Sequence, residues 1–223
     1  MAATRRTTRQ ERNARLAATA EPKVNKFALL SETLLLGVCL FVLGLPVVTA
    51  PAAYAAGAAH MERHISGRPD TVASLWSDFK AALPGSWKFG LVLLSAAVAA
   101  CVNLLLAGSN QLPGGRLVLG ATAVLAIGLM VLLLRTAGLW HHGRAADASP
   151  GSTADRSGSA WLQAWAQAKN DALGDWVGSI LLVSALAMCL AFVWMLPPLV
   201  FIVPGAMTLA VVSVQFRQRA LAG

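Results

Sequence analysis

The chain has 223 residues, of which 57% are hydrophobic and only 13% charged, and its formal net charge is +8 at pH 7. Soluble domains contain about 25% charged residues, so this composition excludes an ordinary soluble domain and favours an integral membrane protein. The positive charge does not indicate nucleic-acid binding, because its largest cluster lies directly before an apolar segment, where basic residues meet anionic lipid headgroups.

The N-terminal part begins with a basic tail, residues 1–26, which we predict to be disordered and cytoplasmic. A first membrane segment follows at about 27–46. The same region resembles a cleaved signal peptide, since small residues follow its apolar core. Cleavage would leave the later basic loops on the outer side of the membrane, so we favour an uncleaved first segment.

A reversal framed by two prolines is predicted after the first segment. Pro46 ends the first helix, because its ring removes a backbone donor and disfavours helical geometry at the preceding residue. Thr49 is placed to cap a new helix, with Pro51 in its first turn. The returning segment, about 51–64, covers only about 21 Å at 1.5 Å per residue. We therefore expect a half-length or re-entrant helix that packs closely through its alanines and glycines.

Four further apolar segments are long enough to cross a bilayer, at about 87–107, 117–137, 176–196 and 199–216. Without the reversal, five crossings would put ten of the 18 lysines and arginines on the outer side, against the positive-inside rule. With the reversal, Arg116 is the only cation left outside, and both termini lie in the cytoplasm. We therefore predict six segments in three hairpins, followed by a C-terminal tail at 217–223.

Two amphipathic helices are predicted in the cytoplasmic interface, at about 71–83 and 160–173, because apolar residues recur there at helical spacing. The two stretches share four residues in the same register, namely Trp76, Lys80, Gly85 and Trp87 in the first and Trp165, Lys169, Gly174 and Trp176 in the second. The match indicates an internal repeat of interfacial helix, glycine break and membrane hairpin, and chance convergence at an interface is the alternative. Two roles remain open, anchoring the hairpins or docking a cytoplasmic partner.

No catalytic, cofactor-binding or metal-binding residues are predicted. His60 and His64 share a helix face, but the order His-Met-Glu-Arg-His lacks the zinc-protease spacing. We interpret this pair and His141-His142 as interfacial residues. The three cysteines lie in apolar segments without paired spacing, which is typical of buried apolar side chains. Residues 143–159 are predicted to be a flexible cytoplasmic loop.

Polar residues within the membrane segments are few, which disfavours proton-coupled transport and intramembrane catalysis. Glu32 lies about two turns into the first helix, where it either reaches the cytoplasmic interface or pairs with Lys26. Asn103 is expected to hydrogen-bond to a neighbouring helix.

The predicted fold class is all-α: a polytopic transmembrane helical bundle of about five full spans plus a short or re-entrant helix, with two cytoplasmic interfacial helices. Twelve residues are structural or partner-docking candidates. They are Pro46, Thr49, Pro51, Tyr54, Trp76, Asp78, Phe79, Lys80, Trp87, Trp165, Lys169 and Trp176.

Some of these motifs resemble a known family. The run Leu-Pro-Val-Val-Thr-Ala-Pro-Ala at 45–52, followed by Tyr54, is similar to a pattern of the YesL-like bacterial membrane proteins. The run Leu-Trp-Ser-Asp-Phe-Lys at 75–80, with Ser-Trp-Lys at 86–88, resembles the aromatic and basic cytoplasmic helix of that family, and Pro198-Leu199 fits as well. The resemblance covers roughly 27–216. The chain departs from the family in having Ala50 where glycine is usual before the second proline, and in a long loop at 143–159.

The resemblance implies an integral protein of the bacterial cytoplasmic membrane with no assigned activity, cofactor or catalytic residue. Members of the family often accompany carbohydrate uptake and degradation systems, so we expect a non-enzymatic accessory role beside a carbohydrate ABC transporter or another membrane protein. A transporter or permease subunit in its own right is the alternative, since repeats and broken helices occur in transporters. A membrane enzyme acting on lipid or glycan would need a polar group of residues such as His60, His64 and Glu32.

Overall fold

The computed structural model describes residues 26–69, 71–108, 115–146 and 153–222, and these residues are almost entirely helical, with no strand among them. From Glu32 onward, the helices pack into one compact unit. Seven α-helices and two short 3₁₀ helices follow one another along the described chain. They are α1 (Lys26–Gly44), a 3₁₀ helix (Val47–Thr49), α2 (Ala50–Ile65), α3 (Val72–Gly108), α4 (Gly115–Ala146), α5 (Thr153–Gly174), α6 (Trp176–Met195), a 3₁₀ helix (Pro197–Phe201) and α7 (Val203–Ala222).

The chain reverses between α1 and α2. Glu32 near the start of α1 contacts His60 near the end of α2, and Gly44 at the end of α1 lies close to Ala50 at the start of α2. These contacts make α1 and α2 an antiparallel hairpin, as the two prolines predicted. The alanine-rich α2 is buried along most of its length, so its small side chains let neighbouring helices approach closely.

Two glycines allow close backbone approach around this hairpin. A methyl group on Gly90 of α3 would overlap the carbonyl oxygen of Val48 in the 3₁₀ helix. A methyl group on Gly205 of α7 would likewise overlap the carbonyl oxygen of Thr33 in α1. The reversal is therefore held against α3, and α1 against α7, at points where any other residue would clash.

The predicted break after the first amphipathic stretch is wrong, because α3 continues through Pro84 and Gly85 for 37 residues. Trp161 of α5 packs against Gly85, and its indole N–H donates to the Ala82 carbonyl oxygen at 3.1 Å. Pro84 has no N–H to donate to the carbonyl four residues earlier, at Lys80, and Gly85 leaves room for the Trp161 side chain against the helix. A tertiary contact thus supports the helix where local sequence indicated its end.

The predicted flexible loop at 143–159 is also too long, since α4 extends to Ala146 and α5 begins at Thr153. Contacts of Gly143 with Ala160 and of Trp140 with Trp161 make the end of α4 and the start of α5 antiparallel. The apolar stripe Trp161, Ala164 and Ala168 is buried against the bundle. The apolar face predicted to meet the headgroups is therefore covered by protein, because packing against α3 and α4 buries the same surface.

The last two helices form a third antiparallel contact. Leu182 of α6 belongs to a buried cluster with Met207 and Val211 of α7. α7 begins at Val203 and continues to Ala222, so the predicted final segment starts too early and residues 217–222 are helical rather than a tail. Pro197 and Pro198 lie in the preceding 3₁₀ helix, since a tight turn suits residues that lack an N–H.

Three helices are long and apolar enough to cross a membrane by length and composition: α3 over Val72–Leu106, α4 over Gly115–Gly143, and α6 over Trp176–Met195. The apolar part of α1, Leu29–Gly44, is shorter than the length required of a membrane-spanning helix. Large apolar side chains point outward along all three long helices. Such exposure is typical of a lipid-facing surface and is uncommon in a water-soluble bundle.

Candidate functional site: polar clusters where α2 and α7 end

Apart from Arg116 at the start of α4, the charged side chains of the described residues gather at one end of the bundle. This end holds Glu32 of α1, the starts of α3 and α6, and the ends of α2, α4, α5 and α7. The helix α2 contributes three of these side chains, His60, Glu62 and Arg63, which contact three different sets of neighbours. Its last turns therefore act as the centre of a polar network.

The group of Glu62, His141, His142 and Arg219 is here called the Glu62 cluster. Glu62 Oε1 accepts a hydrogen bond from Arg219 Nη1 at 3.0 Å. Glu62 Oε2 lies 2.8 Å from His141 Nε2 and 3.2 Å from His142 Nε2. The Glu62 side chain is buried, whereas Arg219 is about half exposed, with 7% and 46% of their side-chain surfaces accessible. The cluster joins α2, α4 and α7.

The two histidine rings of this cluster are close together, with centroids 3.7 Å apart and ring planes tilted by 44°. His142 Nε2 also contacts Arg219 Nη2. A guanidinium can only donate hydrogen bonds, so His142 Nε2 must accept in that contact and cannot also donate to Glu62. The carboxylate and one imidazole nitrogen therefore present lone pairs to the same small volume.

Two further ion pairs fix α2 to its neighbours. Glu32 Oε1 of α1 lies 2.6 Å from Nε2 of the buried His60, so Glu32 pairs with this histidine, while the side chain of Lys26 lies outside the described residues. Arg63 donates to Asp78 at 2.7 Å, and Ser74 lies within hydrogen-bonding distance of the same guanidinium. The interpretation of His60 as a headgroup-facing residue is wrong, because burial pairs it with a carboxylate.

A second group, Asp175 with Arg135, Arg217 and Gln218, is here called the Asp175 cluster. Asp175 separates α5 from α6 and caps α6, because its Oδ1 accepts from the Gly178 N–H at 3.0 Å. The buried Arg135 lies 3.6 Å from Oδ2, and Gln218 donates to the same atom at 3.0 Å. Arg217 lies 3.8 Å from Oδ1.

These neighbours move the pKa values of two aspartates in opposite directions. The hydrogen bond from the Gly178 N–H lowers the pKa of Asp175, and Gln218, Arg217 and Arg135 add to this against the opposing effect of burial. Burial raises the pKa of Asp171, one turn earlier on α5, despite the attraction of Arg135. The junction of α5 and α6 thus favours one ionised carboxylate and disfavours the other.

The candidate residues at the reversal lie together, but the Thr49 side chain makes other hydrogen bonds than the sequence predicted. Pro51 is in the first turn of α2, and Tyr54 packs against the buried cluster of α6 and α7. Thr49 is at the N-cap position, but its hydroxyl caps no α2 amide and donates to the carbonyl oxygens of Leu43 and Pro46, at 2.7 and 2.8 Å. The predicted cap is therefore wrong, because the hydroxyl acts as a donor to carbonyls that precede α2, including that of Leu43 in the last turn of α1, and not as an acceptor for an α2 amide.

The aromatic candidates do not form one surface. In the first stretch, Trp76 is exposed, stacks on the buried Phe79 and lies 5.7 Å from Lys80 Nζ. Trp87 is also exposed, with Lys88 over its ring. In the second stretch, Trp165 is partly buried against Phe89, whereas Lys169 and Trp176 are exposed. The two halves of the sequence repeat therefore have different environments, since Gly85 contacts Trp161 while Gly174 has open space around it.

An apolar cavity of about 320 Å³ adjoins the reversal. Tyr54, Leu40, Leu93 and Leu134 are among its lining residues, together with Pro51. A polar cavity of about 390 Å³ lies between α5 and α7, and Arg219, Asp171 and Asp175 contribute to its wall. The second cavity opens beside both polar clusters.

The histidines and Glu62 were not predicted as a site. The sequence places Glu62 and Arg219 157 residues apart, and no spacing rule links them. The available signal was that ionisable residues are rare next to apolar segments and tend to pair there.

The fold and these clusters define an all-α membrane protein whose charged side chains join the helices at one end. No protein-family model, curated protein or solved structure matches the chain.

Proposed function

We propose that this chain is a non-enzymatic integral protein of the bacterial cytoplasmic membrane that serves as an accessory subunit of a carbohydrate uptake system. The resemblance to YesL-like proteins supplies the physiological setting. The polar groups described above mainly join helices to one another. The role of the chain as a binding subunit is therefore supported by its apolar outer surface and not by these polar groups.

The proposal includes a six-segment topology with both termini and the polar clusters in the cytoplasm. The antiparallel hairpin of α1 and α2 supports it, since a reversal there keeps all cations except Arg116 on one side. A helix of 37 residues is about 55 Å long, against a bilayer core of about 30 Å, so the first turns of α3 extend beyond the core. The amphipathic start of α3 then lies on the cytoplasmic side.

The observation that carries the proposal is the exposure of the outer half of the α3–α4 hairpin. None of the residues 97–106 and 117–128 is buried. The partly covered positions are 100 and 103 of α3 and 119 and 122 of α4. Asn103 donates to Thr122 Oγ1 at 2.8 Å, so these positions mark the contact between the two helices. Each helix therefore contacts its partner along one narrow stripe and leaves the rest of its surface free of other helices.

We infer that this surface binds transmembrane helices of the transporter. It is apolar and carries Gly120 and Gly128, at which an added methyl group would meet no other atom within 4 Å. Small residues allow helix backbones to approach closely in a membrane, where packing rather than water exclusion drives association. An uncharged helix with small residues on one face is the partner that this surface fits.

Site-directed labelling tests the topology. Cys39, Cys101 and Cys189 are replaced by alanine, and a single cysteine is then placed at Ser77 in α3 or at Leu117 in α4. A membrane-impermeant maleimide applied to intact cells should label the second site and not the first. Labelling of position 77 from the outside would overturn the proposed topology.

Co-purification tests the accessory role. The chain, extracted in mild detergent from cells grown on the relevant carbohydrate, should retain transporter subunits. Gly128→Leu should abolish this association without loss of folding, whereas Ala187→Leu, on an exposed position of α6, should not. Recovery of the same lone protein from wild type and both variants would contradict the proposal.

A permease role for the chain alone is the second candidate, favoured by the cavity beside the half-length α2. Its lining is apolar apart from Tyr54, which suits a lipid chain better than a sugar. Sugar uptake into liposomes that contain only this protein would establish this role, and its absence there would favour the accessory one.

A further inference from the structure

The strongest group of unused ligand atoms is in the Glu62 cluster. One carboxylate oxygen of Glu62 and one ring nitrogen each of His141 and His142 all lie within 4.8 Å of one another. The separations of Glu62 Oε2 from the two ring nitrogens, 2.8 and 3.2 Å, are close to the spacing of neighbouring ligands around a small metal ion. Two helices supply these atoms, so the arrangement is formed by the tertiary fold.

The chemistry of this ligand set is specific. Two imidazoles and one carboxylate suit zinc and other divalent first-row transition metals, whereas calcium and magnesium prefer oxygen ligands alone. Three protein ligands also leave a coordination position for water or another group.

The local hydrogen bonding supports a cation at this position. Glu62 Oε2 is buried and accepts no well-directed hydrogen bond from the described residues, although both imidazole nitrogens lie nearby. The contact with Arg219 already requires His142 Nε2 to present a lone pair. A buried carboxylate oxygen and an imidazole lone pair that face each other are stabilised by a cation between them.

We propose that Glu62, His141 and His142 bind one divalent transition-metal ion, with Zn²⁺ as the representative, in competition with the guanidinium of Arg219. The proposal does not depend on the accessory function. Arg219 occupies the position beside His142 and keeps its bond to Glu62 Oε1, so metal binding displaces it from the histidine alone. Arg219 is half exposed and lines the polar cavity between α5 and α7, which provides a route for the ion from solvent.

The first test uses the full-length wild-type protein, purified through a tag without histidine and freed of metal by chelator. Zn²⁺ titration by calorimetry should show one saturable site per chain. Substitution with Co²⁺ should give the ligand-field absorption of a low-coordinate nitrogen and oxygen site. The chain has four histidines, so the large contact shifts of metal-bound imidazoles should appear for two of them and not for the other two. Failure of the wild type to bind either metal would overturn the proposal.

Variants then assign the ligands. Glu62→Gln and His142→Gln should each weaken Zn²⁺ binding by at least about 100-fold, since each removes one of three ligands. His64→Gln, on the same helix as Glu62 but outside the cluster, should leave the affinity unchanged. Arg219→Gln should raise the affinity by on the order of tenfold, because a competing positive charge is removed.

The Arg219 variant separates a metal site from a purely structural ion pair. In a structural pair, Arg219→Gln would only lower stability, and added Zn²⁺ would not restore it. Restoration of the melting temperature by Zn²⁺ in this variant is the result expected for a metal site. Equal Zn²⁺ affinity in the wild type and in the Glu62 and His142 variants would contradict the assignment, and the Co²⁺ spectrum of the wild type decides the question if those variants do not fold.

Discussion

Glu62 at the end of α2 and Arg219 near the end of α7 are joined by a 3.0 Å hydrogen bond, although 157 residues separate them in sequence. The contact joins α2 to α7 at the end of the bundle that holds the polar clusters. It joins a buried carboxylate to a guanidinium that remains half exposed, so the two partners are not equivalent.

The first prediction concerns the difference in burial between Glu62 and Arg219. Glu62→Gln should destabilise the metal-free protein by about 1–3 kcal/mol, because Arg219 and His141 lose a charged partner in a buried setting. Arg219→Gln should cost less, since water solvates part of its surface. Unfolding in a denaturing detergent, followed by circular dichroism, measures both. A double variant whose loss equals the sum of the single losses would show that the two residues are not coupled.

The second prediction compares two aspartates one turn apart. Asp175→Asn should lower stability at neutral pH by about 1–2 kcal/mol, because the variant weakens the α6 cap and removes the carboxylate that lies 3.6 Å from the buried Arg135. Asp171→Asn is the matched control and should be neutral or slightly stabilising, because burial disfavours the charge that this substitution removes. Thermal melts of the two variants beside the wild type distinguish these outcomes.

The third prediction is the pH dependence of the Asp175 effect. The pKa of Asp175 is lower in the folded than in the unfolded protein, so its ionised form favours folding. This stabilisation is fully present above the unfolded pKa of about 3.9 and is lost as the pH falls through the folded value. The stability difference between wild type and Asp175→Asn should therefore be constant from pH 7 to about pH 5 and shrink at lower pH. A difference that grew on acidification would have the wrong sign.

The fourth prediction tests the close approach at the reversal. Gly90→Ala should destabilise the protein by about 1–3 kcal/mol, because the new methyl group overlaps the Val48 carbonyl oxygen and must displace backbone. Gly120→Ala lies on the exposed part of α4, with open space around it, and should be neutral or stabilise its helix by up to about 1 kcal/mol. Detergent-induced unfolding compares the two. Equal stability of both variants would show that α3 and the reversal are not in contact.

The fifth prediction concerns the support of α3 at Pro84. Trp161→Phe should cost about 0.5–1.5 kcal/mol, because it removes the indole N–H that donates to the buried Ala82 carbonyl. Trp194→Phe is the control, since Trp194 is 88% exposed and should contribute little. Protease accessibility near residue 84 should rise in the first variant alone. No change in either variant would mean that α3 does not depend on α5.

The amino-acid sequence determined the class of the protein and the order of its helices. Long uncharged segments have few alternatives to a helix in a bilayer, because every backbone polar group must be bonded internally. The reversal at Pro46 and Pro51 was likewise predictable, since proline acts on its own neighbours through sterics and a missing donor. Both effects are local, and local effects can be deduced from short stretches of sequence.

Only the tertiary structure decided what the polar residues contact. His60 pairs with Glu32, and Glu62 meets His141, His142 and Arg219, because three helix ends converge at one place. The continuity of α3 through Pro84 depends in the same way on Trp161, a residue 79 positions from the carbonyl that it bonds. Periodicity and capping rules carry no information about such distant partners. The helices followed from the chemistry of neighbouring residues, and the polar clusters from the way the packed helices bring distant side chains within a few ångströms.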